Sequence, residues 1–253
     1  MFRAILFDLD GTLLKIDMDE FLKHYFNAMA EMARLSGYQE HRQLVEQVFA
    51  STWVMIANRD PRLTNEKVFK DHFYSFWPHL QDDLEAFFER FYREGFPRLR
   101  NLCQPIAGIP ELMQALLQRK VKIAIATNAV FPLTALQQRL TWAGLDPAAF
   151  DLITSYEVMH FCKPHLEYYQ EICDKLQVQP GDCLMVGNDM GEDMVAQKLG
   201  MKTYLIEDYL IDPGETGLKP DWRGRMPDFL VFAAKCCGIA GAAPSKAIRR
   251  KTS

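Results

Sequence analysis

The sequence predicts an α/β fold: a parallel sheet interrupted, after its first strand, by a mainly α-helical insertion. Three observations carry this. Residues 2–7 form a short apolar run of the kind that becomes a buried strand, and the run ends on Asp8-Leu9-Asp10-Gly11-Thr12. From residue 15 to about 104 strand-like runs vanish and apolar residues recur at helical spacing. From about 105 to 206 short apolar runs alternate with helical segments, the pattern of βαβ units around a parallel sheet.

The first strand delivers Asp8 to its carboxyl end, where Gly11 lets the chain bend at once. In open α/β sheets ligands bind at that edge. Strand alternation puts Asp8 and Asp10 on the same side, and two like charges that close cannot both stay ionised without a cation. A lone Asp-Gly reads as a turn, but a buried strand ending in two acids is costly unless the acids are used.

The inserted segment reads as about four helices. Its apolar groups are Phe21, Tyr25, Met29 and Met32; Leu44, Val48, Phe49 and Trp53; Val68, Phe69, Phe73 and Phe76; and Leu84, Phe87, Phe88, Phe91 and Tyr92. Thr64-Asn65-Glu66 is a helix-start signal, and Pro61, Pro78 and Pro97 punctuate the segment. Most of these aromatics are expected to fill the core of a small bundle, with a few left to face a ligand.

Past the insertion, Pro110 opens a helix at an early position where its missing N–H is harmless; the helix runs to about Arg119. Strand 121–126 ends on Thr127-Asn128, and helix 132–143 stops at Gly144. Strand 151–154 precedes Lys163-Pro164, which is expected to start a helix reaching Leu176. Strand 182–187 ends on Asn188-Asp189, a helix spans Gly191 to Gly200, and 201–206 is a further parallel strand. Residues 207–225 read as a long ordered loop without a role, 227–234 as an edge strand or docking helix, and 245–253 as a disordered basic end.

A net charge of −4 argues against a general nucleic-acid surface, so any phosphate ligand needs local positive charge. No stretch approaches membrane-spanning length and no signal peptide is visible. The six cysteines lack CxxC spacing and read as reduced thiols of a cytoplasmic protein, Cys236 and Cys237 being too close for an ordinary bridge.

The strand ends bring together Asp8, Asp10, Thr127, Asn128, Lys163, Asp189 and, one turn further on, Asp193. Four carboxylates with one ammonium call for a divalent cation, and all-oxygen ligands favour Mg²⁺. The ordered set Asp8-x-Asp10-Gly11-Thr12, Thr127, Lys163-Pro164 and Asp189 with Asp193 resembles the four motifs of the haloacid dehalogenase-like (HAD) hydrolase superfamily. The resemblance covers residues 1–14 and 105–206. It implies a Rossmann-like catalytic core, 1–14 and 105–253, with residues 15–104 as an inserted helical cap of the C1 type. It further implies a phosphatase acting on a small phosphorylated metabolite through an aspartyl-phosphate. Asp8 would be the nucleophile and Asp10 the acid and base, with Thr127, Asn128 and Lys163 binding phosphate. Mg²⁺ would sit on Asp8, the Asp10 carbonyl and Asp189, and Asp193 behind them. The family often places its acid directly after the glycine of the fourth motif; here Asn188 intervenes between Gly187 and Asp189, and the carboxylate is preferred as ligand. Asp10 argues against a dehalogenase. A phosphomutase, or a binding protein on the same fold, stays open at this stage, and no oligomeric state follows from the sequence.

Overall fold

The computed structural model describes residues 2–214 and 216–237. Among the described residues eight strands form: β1 (Ala4–Phe7), β2 (Leu14–Ile16), β3 (Cys103–Pro105), β4 (Lys122–Ile125), β5 (Leu152–Ile153), β6 (Cys183–Gly187), β7 (Lys202–Ile206) and β8 (Trp222–Gly224). Six of them build one parallel sheet in the order β5-β4-β1-β6-β7-β8. β1 lies at its centre, with Phe7 opposite Ile125 on one side and Val186 on the other.

The strands are apolar on both faces because helices cover both. Ile5 and Phe7 point into a cluster that includes Leu112 and Met113 of α5 (Ile109–Leu117), Leu136 and Leu140 of α6 (Leu133–Trp142) and Phe229. Ala4 and Leu6 point the other way, towards Tyr168, Tyr169 and Ile172 of the helix at Leu166–Leu176.

Between β1 and β4 the chain forms α1 (Met18–Leu35), α2 (His41–Ala57), α3 (Asn65–Tyr74) and α4 (Gln81–Arg90), then a π-helical turn, Phe91–Gly95, and a 3₁₀ run, Phe96–Leu102. The Asp17 carboxylate caps α1 by accepting from Glu20 N at 3.1 Å, and the Thr64 hydroxyl caps α3 by accepting from Lys67 N at 3.2 Å. The segment leaves and returns through an antiparallel ribbon of β2 and β3, with Lys15 opposite Gln104. It also packs on the sheet domain. Phe96 stacks on Trp142 at 5.3 Å, and Asn65, wholly buried at the start of α3, donates Nδ2 to the Ala129 and Phe161 carbonyls at 3.1 and 3.2 Å.

Several expectations need correction. Lys163-Pro164 precedes its helix, α7 (Leu166–Leu176), instead of opening it. The expected helix from Gly191 is a turn followed by a 3₁₀ run, Met194–Leu199, which leaves Asp193 at its cap. The polar stretch 207–225, expected as a loop, contains β8; of the two readings for 227–234 the helix is the one that forms, as part of α8 (Met226–Cys237). Phe49 and Trp53, grouped with the core residues Leu44 and Val48, are 51% and 57% exposed. Cys103, Cys162, Cys173, Cys183 and Cys236 are free thiols. The expectation for 245–253 lies outside the described residues.

Candidate active site

Asp8 leaves β1 held between its neighbours, its N–H donating to Val186 O at 2.9 Å, and its carboxylate stands at the carboxyl edge of the sheet. Gly11 turns the chain at φ +75°; a Cβ there would lie 2.5 Å from Asn188 Nδ2. That closeness has a purpose. Asn188 accepts from the Thr12 hydroxyl at 3.1 Å and donates to Tyr209 O at 2.6 Å, so its amide ties the loop after β1 to residues 207–225. Both Asn188 and Asp189 line the cavity, but both ends of the Asn188 amide are committed to these bonds.

Lys163 is the centre of charge. It is 1% exposed, and its ammonium donates to Asp8 Oδ1 at 2.8 Å and to Asp193 Oδ1 at 2.6 Å. Burial alone would favour the neutral amine, but Asp193 and Asp8 outweigh it and hold the lysine pKa well above its usual value. Asp193 is pushed up to about 7, chiefly by burial, with Lys163 opposing and Asp8 adding to the rise. Gly187 makes room for this acid: a Cβ there would fall 2.0 Å from Asp193 Oδ2. The same Oδ2 accepts from Asp189 N at 3.0 Å. Asp189 in turn accepts from Gly191 N and Glu192 N at 2.7 and 2.8 Å through Oδ1, which fixes its carboxylate and leaves Oδ2 outside that pair of bonds.

Thr127 is buried at the end of β4, its carbonyl accepting from the Tyr168 and Thr154 hydroxyls, both at 2.7 Å. Asn128 accepts from Lys163 N at 3.2 Å through Oδ1 and donates Nδ2 to Glu192 at 3.2 Å. Asp8, Asp10, Thr127, Asn128, Lys163, Asp189 and Asp193 all line one cavity of about 960 Å³, roofed by α1 and α2.

Three contributors escaped the sequence reading. Glu192 also lines the cavity; burial pushes its pKa up, Lys163 opposes, and Asp189 and Asp8 add to the rise. Tyr209, Leu210 and Ile211 form part of the wall, so the stretch 207–225 has a role after all. Arg139, on α6, is fully buried and forms an ion pair through Nη2 with Asp10 Oδ2. Burial lowers its pKa to about 10, with Asp8 opposing. The rings of Phe131 and Phe21 lie 5.1 and 5.6 Å from the guanidinium carbon. One of those rings comes from α1, so the Arg139–Asp10 pair sits where the insertion meets the sheet domain.

The donor chemistry fits a hard divalent cation. Asp8 and Asp189 bring carboxylates to the cavity; with the Asp10 main-chain carbonyl they would make an all-oxygen set, and the excess of acid over Lys163 is the charge a cation would balance. Among the described residues no three His, Cys, Asp or Glu side chains gather into a metal cluster of their own. Two carboxylates and a carbonyl are the sparse kind of set that suits Mg²⁺, which keeps several waters and takes phosphate oxygens.

A central acidic strand end, a buried lysine on it and a parallel sheet beneath define a hydrolase of the HAD type. The profile of the haloacid dehalogenase-like hydrolases matches residues 2–200, and the chain belongs to that family. It is 24% identical over 207 residues to the pyrophosphatase PpaX of Bacillus pumilus (strain SAFR-032), covering 79% of this chain and 81% of that one. Among solved structures, the fold is shared with magnesium-bound YfnB of Bacillus subtilis, at TM-score 0.54 and 22% identity, over 94% of this chain and 99% of the other. A predicted phosphoglycolate phosphatase of Haemophilus somnus 129PT shares it at TM-score 0.51 and 20% identity, over 88% and 93%. No helix among the described residues is long and apolar enough to cross a membrane.

Proposed function

We propose that this hydrolase is a Mg²⁺-dependent phosphatase of small phosphomonoesters, working through an aspartyl-phosphate on Asp8. The observation that carries the reading is the Asp8 carboxylate at the end of the central strand, 2.8 Å from the buried Lys163 ammonium and two residues before Asp10. An ammonium at that distance neutralises the approach of a carboxylate to a phosphate dianion.

In the first step an Asp8 oxygen attacks phosphorus, the bond to the leaving oxygen breaks, and Asp10 gives that oxygen a proton. In the second, Asp10 takes a proton from water as the water attacks phosphorus, which releases phosphate and restores Asp8. Thr127 donates its hydroxyl, and Asn128 its N–H, to phosphate oxygens. Lys163 offsets charge on Asp8 and on the transferred group, while Asp193 orients Lys163 from behind. Asp8, the Asp10 carbonyl and Asp189 would hold Mg²⁺, which supplies charge stabilisation to the phosphoryl oxygens when bound. Arg139 positions Asp10 by holding one of its oxygens. Residues 15–104 act as the cap that excludes water and selects the leaving group over a core of residues 1–14 and 105–253. The relatives' names, a pyrophosphatase and a phosphoglycolate phosphatase, support phosphate-ester or anhydride hydrolysis as the reaction class.

The test is phosphate release from p-nitrophenyl phosphate with Mg²⁺ by the native chain and by Asp8→Asn. The native protein turns over, and Asp8→Asn, whose amide is no nucleophile, is inactive. Substantial activity in Asp8→Asn refutes the assignment; inertness of the native chain towards every ester tried points to a binding protein.

A further inference from the structure

The roof of the cavity differs in character from its floor. Below are the carboxylates and Lys163; above, α1 and α2 present Leu22, Phe26, Phe49, Trp53 and Ile56. These are successive turns of two helices, so the apolar surface is continuous. Phe26 and Phe49 meet edge-on with centroids 6.2 Å apart, and Phe49 meets Trp53 edge-on at 6.0 Å. Phe49 and Trp53 are more than half exposed, although Phe21 and Tyr25 of the neighbouring α1 are buried. Exposing two large rings to water inside a cavity is unfavourable unless something apolar covers them.

Charge points the same way. Among the described residues, apart from Lys163, which is already shared between Asp8 and Asp193, the only cation lining the cavity is Lys15, and Asp17, Asp19 and Glu20 stand close to it in sequence on the same wall. A leaving group with its own carboxylate or phosphate would meet one lysine against three acids. Such a group, buried without a partner, is strongly disfavoured. A cavity of about 960 Å³ also far exceeds what phosphate and a two-carbon fragment fill.

We infer that the natural substrate is a phosphomonoester of a bulky, ring-bearing apolar alcohol without a second anionic group, its ring seated against Phe26, Phe49 and Trp53. The inference rests on the phosphatase reading and sharpens it. It also separates this chain from the pyrophosphate and phosphoglycolate that its relatives' names mention, both of which carry their second anion where this wall is apolar and acidic.

The test uses the full chain with Mg²⁺ and esters of alcohols with similar intrinsic reactivity: 2-(1-naphthyl)ethyl phosphate, ethyl phosphate and phosphoglycolate, with pyrophosphate alongside. The naphthylethyl ester should exceed both ethyl phosphate and phosphoglycolate in kcat/KM by at least tenfold, and pyrophosphate should be the poorest. In Trp53→Ala the ratio of the naphthylethyl to the ethyl ester should fall at least fivefold, and Trp53→Phe should restore most of it. Equal or better turnover of phosphoglycolate or pyrophosphate overturns the inference and leaves the phosphatase reading standing. So does a ratio unmoved by Trp53→Ala in protein shown to be folded. Absence of phosphate release from every compound overturns both.

Discussion

Arg139 is the buried group whose removal should be most costly. It is 0% exposed, its Nη2 is paired by charge with Asp10, and among the described residues none of its guanidinium nitrogens has a hydrogen-bond partner. Arg139→Met keeps much of the apolar stem and deletes the guanidinium, which leaves the largely buried Asp10 carboxylate without that counter-charge. Breaking a buried pair from one side costs about 3–5 kcal/mol, most of it the penalty of the charge left behind. For a chain of this size each kcal/mol lowers Tm by roughly 2–4 °C, so the expected fall is on the order of 6–20 °C. Asp10→Asn alone strands the arginine instead and should also destabilise. The decisive variant is the double one. With both charges gone, Arg139→Met/Asp10→Asn should regain at least half of the loss, because replacing a buried pair by neutral groups is often close to neutral. The assay is calorimetric Tm, with urea unfolding to confirm the free energies. A fall under about 2 °C for Arg139→Met, or a double variant equal to the sum of the two singles, would refute the idea that this pair holds Asp10 in place.

The same site makes three further predictions. Asp10→Asn should lower steady-state turnover of p-nitrophenyl phosphate by about 10²–10⁴-fold and let phosphate accumulate on Asp8, seen as a mass increase on the peptide carrying it, since an activated leaving group needs little protonation. EDTA should abolish activity, Mg²⁺ restore it, and Ca²⁺ oppose Mg²⁺, because a larger and looser coordination shell misplaces the nucleophile; full turnover in EDTA would refute the metal assignment. Gly187→Ala should drop kcat by about 10²-fold while the sheet persists by circular dichroism, because the new methyl occupies the space of the Asp193 carboxylate and moves Lys163 with it.

The sequence and the structure agree best where a residue's position follows from a strand end. Asp8, Thr127 and Asp189 could be placed because each ends an apolar run, and parallel topology then forces those ends to one edge. Lys163 was legible as a residue but not in its setting; it lies before its helix, and burial between two acids is a tertiary fact. Arg139 left no local trace. An arginine in the last turn of α6 reads as an ordinary complement to the helix dipole, and its partner Asp10 lies far away in the chain. Glu192 falls between two acids that already had roles. β8 has only three residues, set in polar sequence with Gly and Pro nearby, so neither alternation nor an apolar run marks it. Phe49 and Trp53 share helical spacing with Val48, and period alone does not distinguish a face turned to the core from one turned to a cavity.

The way the helical segment is attached decides how its role can be tested. Its two crossings join in the β2–β3 ribbon, which resembles a hinge on which a lid could be cut away. The packing forbids so simple an excision. Phe21 and Phe96 belong to the same buried cluster as Ile5, Phe7 and Leu136, so removing residues 15–104 would uncover the sheet domain's own core. Trp142 would lose its stacked partner, Arg139 one of its two rings, and the carbonyls of Ala129 and Phe161 their donor on Asn65. A truncated chain would therefore lose activity for reasons of stability, whichever ester were tried. Specificity has to be read from exposed positions of the roof, Phe49 and Trp53, where a side chain can be shortened without opening that shared core. The contrast is itself physical: the residues that bind the segment to the sheet are buried and contribute to folding, whereas those turned to the cavity remain exposed and are free to select what enters it.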